Sequence, residues 1–168
     1  MIEFMRLIYL PTLWTIVIDF VIWFIIHIGV VAITVRIPAK HFDPNHWLYR
    51  SRKWERNGNV YQEVFRIKKW KQHLPDGARV LGRLGFPKKQ LRGTSAGYFE
   101  AFSIETCRAE LTHWMIILFA PCFCLWNLPG VGLFMIFYAL LENVPFIIAQ
   151  RYNRYRFKRL LEQNKLKS

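Results

Sequence analysis

Residues 7–35 read LIYLPTLWTIVIDFVIWFIIHIGVVAITV. The stretch holds one acid (Asp19), one imidazole (His27) and no base. A helix of about 20 apolar residues crosses the hydrocarbon core of a bilayer, so this run is long enough to span with tilt. A secretory leader is the competing reading. Its apolar region would run to only about 7–15 residues and end in a small-x-small cleavage site. This run is longer, and Val-Ala-Ile-Thr-Val at 31–35 matches such a site poorly. An uncleaved first membrane helix is expected, and with it an all-α integral membrane protein.

Two further apolar runs, 113–128 and 131–149, flank the turn-forming sequence Asn127-Leu128-Pro129-Gly130. They predict a transmembrane hairpin whose first arm borrows its opening turns from 103–112. The whole chain, 1–168, is expected to form one membrane domain. Its parts are a first span at 7–35, a basic segment at 36–112, the hairpin, and a basic tail at 151–168. Hydrophobic residues make up 53% and aromatic residues 17%, yet the net charge is +13. That combination suits polar parts lying against anionic headgroups. A soluble nucleic-acid binder has no use for long uncharged runs, so no nucleic-acid partner is expected.

The segment 36–112 is punctuated by Pro38, Pro44, Asn57-Gly58, Pro75-Asp76-Gly77 and Pro87. Between these lie WLYRSRKWERN and VYQEVFRIKKWKQHL. The second places apolar or aromatic residues at 60, 61, 64, 65, 67, 70 and 74, a mostly helical spacing. Short amphipathic helices at the membrane surface are predicted, with Trp and Tyr at headgroup depth. The segment 36–112 carries 16 Lys plus Arg and the tail carries 7, whereas the turn at 127–130 carries none. The excess of base on the inner side therefore predicts that the basic segment and the C-terminus are cytoplasmic. A re-entrant hairpin would distribute the charges identically.

Four titratable groups, Glu105, Arg108, Glu110 and His113, crowd the start of the second run. At about 100° per residue, Glu105 and Arg108 can pair at i, i+3, and so can Glu110 and His113. One reading is a solvated helix start with surface ion contacts and an interfacial imidazole. The other is a general base, His113, oriented by a carboxylate. Deeper in the apolar runs stand Glu142, Asn143 and Asp19. Ionisable groups inside a membrane are functional candidates. For Asp19 the favoured reading is a neutral acid hydrogen-bonded to a neighbouring helix. Pro145 frees a helical carbonyl beside Glu142, which makes a polar pocket or kink plausible.

Several chemistries are not signalled. The chain has no G-x-S-x-G, Walker or G-x-G-x-x-G motif and no H-x-x-x-x-D pattern. His41 and His46 flank Asp43, but Pro44 interrupts the spacing, and no metal is expected. Cys107, Cys122 and Cys124 read as small apolar fillers.

The blocks RIPAKHF (36–42), FRIKKWKQHLPDG (65–77), ETCRAELTHW (105–114) and ENVPFIIAQRYNRYR (142–156) occur in the order and spacing of a known family. They resemble the glycosyl-4,4'-diaponeurosporenoate acyltransferases. The resemblance covers most of 36–156, and the first helix matches only in being hydrophobic. It implies a membrane enzyme of a bacterial cell membrane. Such an enzyme would esterify a fatty acyl chain onto the C6'' hydroxyl of a glycosylated C30 carotenoid acid, the last step of staphyloxanthin-type pigment synthesis. The expected partners are the bilayer, that acceptor or another glycolipid, and an acyl thioester donor such as fatty acyl-CoA. No bound cofactor is expected. A non-enzymatic membrane adaptor is the remaining alternative.

On this reading His113 is the base, with Glu110 or Glu105 orienting it. Arg108, Lys71 or Arg151 would stabilise the oxyanion or bind donor phosphates. His73 with Asp76 is the second candidate pair. Lys69, Trp70, Lys71, Glu142, Asn143, Gln150, Arg151, Asn153 and Arg154 complete the expected substrate-binding set. Glu142 is expected to face inward and to meet a partner on another helix, such as Arg108 or His113.

Overall fold

The structure is a computed structural model and describes residues 7–75 and 96–165. Its helices are α1 (Thr12–Arg36), α2 (Val60–Glu63), α3 (Ile67–Trp70), α4 (Ala96–Phe119) and α5 (Pro129–Lys165). No strand occurs among the described residues. Among the described residues three helices are long and apolar enough to cross a membrane: Thr12–Arg36, Gly97–Leu125 and Pro129–Gln163. The chain is an all-α membrane protein of the predicted kind.

The boundaries differ from the sequence reading in two places. Both arms of the hairpin are longer than the apolar runs. α4 begins at Ala96 and continues as a 3-10 turn, Ala120–Leu125, where Pro121 has no N–H to give and ends the α geometry. α5 runs 37 residues through Pro145 and deep into the basic tail. Between Ile37 and Pro75 the helices are short, as the spacing predicts, with α2 and α3 of four residues each. Arg56, Asn57 and Arg66 adopt left-handed backbone angles, with φ of 47°, 56° and 47°, and each interrupts a right-handed run. Gly58 follows at φ 87°, and a Cβ there would stand 2.8 Å from the Cβ of Tyr155. The Asn57-Gly58 turn therefore also lies against the Tyr155 side chain of α5.

The chain divides into two compact units. The first holds residues up to Arg36 together with Leu111–Pro145. Within it α1 buries Thr15, Val30 and Thr34 and exposes Leu13, Trp14, Phe20, Phe24 and Ile28, an apolar surface suited to lipid. Thr34 Oγ1 donates to the Val30 carbonyl and pairs with Thr112 Oγ1, each at 2.9 Å. Asp19 Oδ1 accepts from Trp126 Nε1 and Asn127 Nδ2, both at 2.7 Å. Asp19 thus ties α1 to the residues that precede α5.

The second unit holds Ile37–Glu110 and the chain from Phe146 onward. Tyr61, Ile67, Ala149 and Tyr155 form one buried cluster, flanked by Trp70, Leu74, Ile148 and Tyr152. Phe99, Phe102 and Phe157 form another, flanked by Tyr98, Leu160 and Leu161. These contacts explain why α5 extends past the apolar run. Its later turns have an aromatic face to bury, worth roughly 1.5–3 kcal/mol per large side chain.

Candidate functional site

In the second unit, two carboxylates and two guanidiniums are interlocked. Glu110 and Glu55 are fully buried. Arg151 donates through Nε to Glu110 Oε1 at 2.8 Å, through Nη1 to Glu55 Oε1 at 2.8 Å, and through Nη2 to the Leu48 carbonyl at 2.6 Å. Arg154 donates through Nη2 to Glu110 Oε2 at 2.5 Å, through Nη1 to the Tyr49 carbonyl at 2.8 Å, and through Nε to Thr106 Oγ1 at 3.2 Å. The three-residue spacing of Arg151 and Arg154 places both on one side of α5, and the planar guanidinium fork lets each bridge several acceptors. Glu55 also accepts from the Tyr61 hydroxyl, from the Tyr155 hydroxyl at 2.7 Å and from the Arg52 N–H at 2.5 Å. Burial alone would raise the Glu55 pKa. The donors from Tyr61, Tyr155, Arg52 and Arg151 outweigh it and hold the pKa below the ordinary glutamate value. Tyr61 is pushed up by burial and by its carboxylate partner, and Tyr49 is pushed up to about 12, chiefly by burial.

The network borders a cavity of about 490 Å³. Arg151, Arg154 and Lys158 face Glu55, Glu100 and Glu162 there, and Tyr49, Tyr155, Ile104 and Leu161 contribute to the walls. Three basic and three acidic groups leave this lining without an excess of either sign, so it does not form an anion-selective cradle.

The first unit treats its ionisable groups differently. His113 Nδ1 lies 2.8 Å from Asn143 Oδ1, and Asn143 Nδ2 donates to the Ala139 carbonyl at 2.9 Å. The second contact fixes which end of the amide is the oxygen. Since that oxygen only accepts, Nδ1 carries the imidazole proton, and in the neutral ring Nε2 holds the lone pair. His113 is half-buried, whereas Asn143 is buried. One residue earlier, Glu142 Oε1 lies 3.3 Å from His27 Nε2.

Comparison with known proteins fits these blocks. The family model described as glycosyl-4,4'-diaponeurosporenoate acyltransferase matches residues 45–163. A protein of that name from Staphylococcus aureus (strain MRSA252) is 37% identical over 140 residues, 83% of each chain. Another of that name, from Staphylococcus aureus (strain USA300), is 34% identical over the same share. The chain belongs to this acyltransferase family. No solved structure matches it.

Glu55, Glu110, His113, Glu142, Asn143, Arg151 and Arg154 fall inside the region that the acyltransferase model matches, and His27 falls outside it. The other candidate residues are placed as follows. Glu105 and Arg108 pair at 3.1 Å as their spacing predicts, and Arg108 also donates to the Ile37 carbonyl at 2.6 Å and covers the Phe42 ring. Lys71 donates to Asn153 Oδ1 and stands over the Tyr152 ring. Burial, with Arg156 adding repulsion, lowers its pKa to about 8. Trp70 Nε1 donates to the Phe65 carbonyl at 2.7 Å, and Lys69 is exposed. The side-chain oxygen of Gln150 is buried with no hydrogen-bond partner among the described residues. His73 is exposed beside Gln72, and Asp76 lies outside the described residues. Among the described residues no group of three or more His, Cys, Asp or Glu side chains gathers as a metal site.

Two partners differ from those the spacing suggested. Glu110 turns both carboxylate oxygens to Arg151 and Arg154, and His113 meets the amide of Asn143 through Nδ1. Glu142 meets His27 of α1 instead of Arg108 or His113. Glu55 and His27 were not singled out in the sequence reading. Each carries a faint mark there: Glu55 is the one acid of the basic stretch 47–57, and His27 is the one imidazole of the first apolar run.

Proposed function

We propose that this chain is a membrane acyltransferase that moves a fatty acyl group from a thioester, such as acyl-CoA, to the C6'' hydroxyl of a glycosylated C30 carotenoid acid. The family membership supports the reaction class, and the names of the relatives support the acceptor. The observation that carries the chemistry is the His113–Asn143 pair. An imidazole held by Asn143 through Nδ1–H presents a basic Nε2, which is what the reaction needs. His113 Nε2 takes the proton of the sugar hydroxyl as its oxygen attacks the thioester carbon. The C–S bond then breaks, and the imidazolium returns the proton to the leaving thiolate. No acyl-enzyme is needed.

Arg151 is a weaker candidate for the oxyanion than its charge suggests, because its Nε, Nη1 and Nη2 are each committed within the second unit. The exposed Arg66, Lys68 and Lys69 suit attraction of an anionic donor, with the basic segment and the C-terminus on the cytoplasmic side of a bacterial membrane.

The test is His113→Ala in membranes supplied with acyl-CoA and glucosylated carotenoid. Ester formation should fall about 10²–10⁴-fold, the usual contribution of a positioned general base. The variant should still extract as a monodisperse protein. Near-normal ester formation by the folded variant would remove His113 from the reaction.

A further inference from the structure

The carboxylate of Glu142 is only half used. Its Oε1 lies 3.3 Å from His27 Nε2. His27 Nδ1 lies 2.9 Å from the Trp23 carbonyl oxygen, which only accepts, so Nδ1 carries a proton. One further proton is then shared between Nε2 and Oε1. Whichever of the two holds it, Glu142 Oε2 keeps its lone pairs. That oxygen is buried and has no hydrogen-bond partner among the described residues. A buried acceptor left unmet is costly and points to a donor.

The surroundings narrow the donor's chemistry. The side chains of His27 and Glu142 remain 28% and 34% exposed although Oε2 itself is covered, so a ligand reaching the pair from the hydrocarbon meets Oε2 once the carboxylate turns about its last, softly restrained torsion. Trp23 stands edge-on to His27 at 4.8 Å between ring centroids and packs against Phe123 at 5.6 Å and Tyr138 at 5.4 Å. An aromatic wall beside a hydrogen-bond acceptor suits a ligand with hydroxyl donors on its rim and C–H groups on its face. A cation would also satisfy Oε2, but it would have to shed its hydration within the membrane. A hydroxyl brings the donor without the charge.

We propose that His27 and Glu142 form a sugar-positioning site. Glu142 Oε2 accepts a hydrogen bond from a hydroxyl of the acceptor sugar that does not react, and His27 fixes the carboxylate through Oε1. This rests on the glycosyl-acceptor reading above and deepens it. The reacting hydroxyl goes to His113, which belongs to the same unit as His27 and Glu142. Both residues position the acceptor and neither transfers a proton to the reacting atoms.

The test uses the full chain in nanodiscs, a long-chain alkyl glucoside as acceptor, and deoxy analogues that each lack one non-reacting hydroxyl. Glu142→Leu, which removes the acceptor, should raise the acceptor KM about tenfold and His27→Asn should raise it less, with kcat held within about twofold. One deoxy analogue should raise the wild-type KM by a similar factor, and Glu142→Leu should add nothing further with that analogue. An unchanged acceptor KM in both variants would overturn the proposal, as would a loss confined to kcat. If the wild type acylates no glycoside, the proposed reaction fails, and the site is judged by binding alone. Quenching of Trp23 fluorescence by the alkyl glucoside, absent in Trp23→Phe and weakened about tenfold in Glu142→Leu, would uphold it. Quenching that is absent or indifferent to Glu142 would overturn it. So would a wild-type dimer that Glu142→Leu dissociates, since a second copy would then cover Oε2.

Discussion

Glu110 and His113 stand one turn apart on α4, yet they belong to different units and to different kinds of polar chemistry. In the second unit Glu110 and Glu55 are fully buried, and their oxygens are met by Arg151, Arg154, Tyr61, Tyr155 and a backbone N–H. In the first unit His113 is half-buried and held by a neutral amide, and Glu142 has one oxygen with no hydrogen-bond partner among the described residues. The difference separates an ionic cluster met by opposite charges from an imidazole oriented by a neutral amide. Charges saturated by opposite charges are fixed in state and hold backbone segments together. An imidazole oriented through Nδ1–H by a neutral amide has its tautomer set without a charge opposite that nitrogen.

Removing Glu110 should have the largest effect. Glu110→Ala leaves Arg151 and Arg154 buried without their shared carboxylate. Breaking a buried pair from one side costs about 3–5 kcal/mol, more for a residue serving two partners. The expected outcome is loss of a monodisperse peak in detergent and a collapse of the thermal transition. A stable Glu110→Ala protein with impaired transfer would reverse the contrast and move Glu110 into the reaction.

Asn143→Ala should act in the opposite sense, on activity more than on fold. The lost hydrogen bond to His113 frees the tautomer and the ring orientation, and transfer should fall about tenfold, in line with roughly 1–2 kcal/mol for a positioning hydrogen bond. The protein should remain extractable with a thermal midpoint near that of the wild type. Asn143→Asp, which still accepts from Nδ1–H, should recover part of the lost rate. A variant that unfolds as Glu110→Ala does would show that the two units are not separable in this way.

Glu105→Gln should have the smallest effect. The Glu105–Arg108 pair is partly exposed, with side chains 22% and 14% accessible, and Arg108 retains the Ile37 carbonyl and the Phe42 ring. Such a pair is worth about 1 kcal/mol or less, so the thermal midpoint should move by a few degrees at most, with transfer unchanged. A larger loss of transfer would bring Glu105 back as a functional carboxylate.

The sequence by itself determined that this is an all-α membrane chain. Length and apolarity mark 7–35 and the two later runs, because a bilayer accepts only backbone that satisfies its own hydrogen bonds. It also determined the family, through blocks whose order and spacing survive in a linear reading. Local pairs at helical spacing were legible too, as Glu105 and Arg108 demonstrate. The partners of Glu110, Glu142 and His113 were decided only in three dimensions. Arg151, Arg154, His27 and Asn143 lie 41, 44, 115 and 30 residues from them in the chain, at separations where no helical periodicity relates two side chains. Glu55 illustrates the same limit: in the stretch 47–57 it reads as one charge of an amphipathic turn. It becomes a fully buried carboxylate because left-handed residues at 56 and 57 end that turn and α5 brings Arg151 and Tyr155 to it. A side chain's type and spacing record what it can bond to. Which of several equally capable partners it meets depends on how distant segments pack, and that is written in the tertiary structure alone.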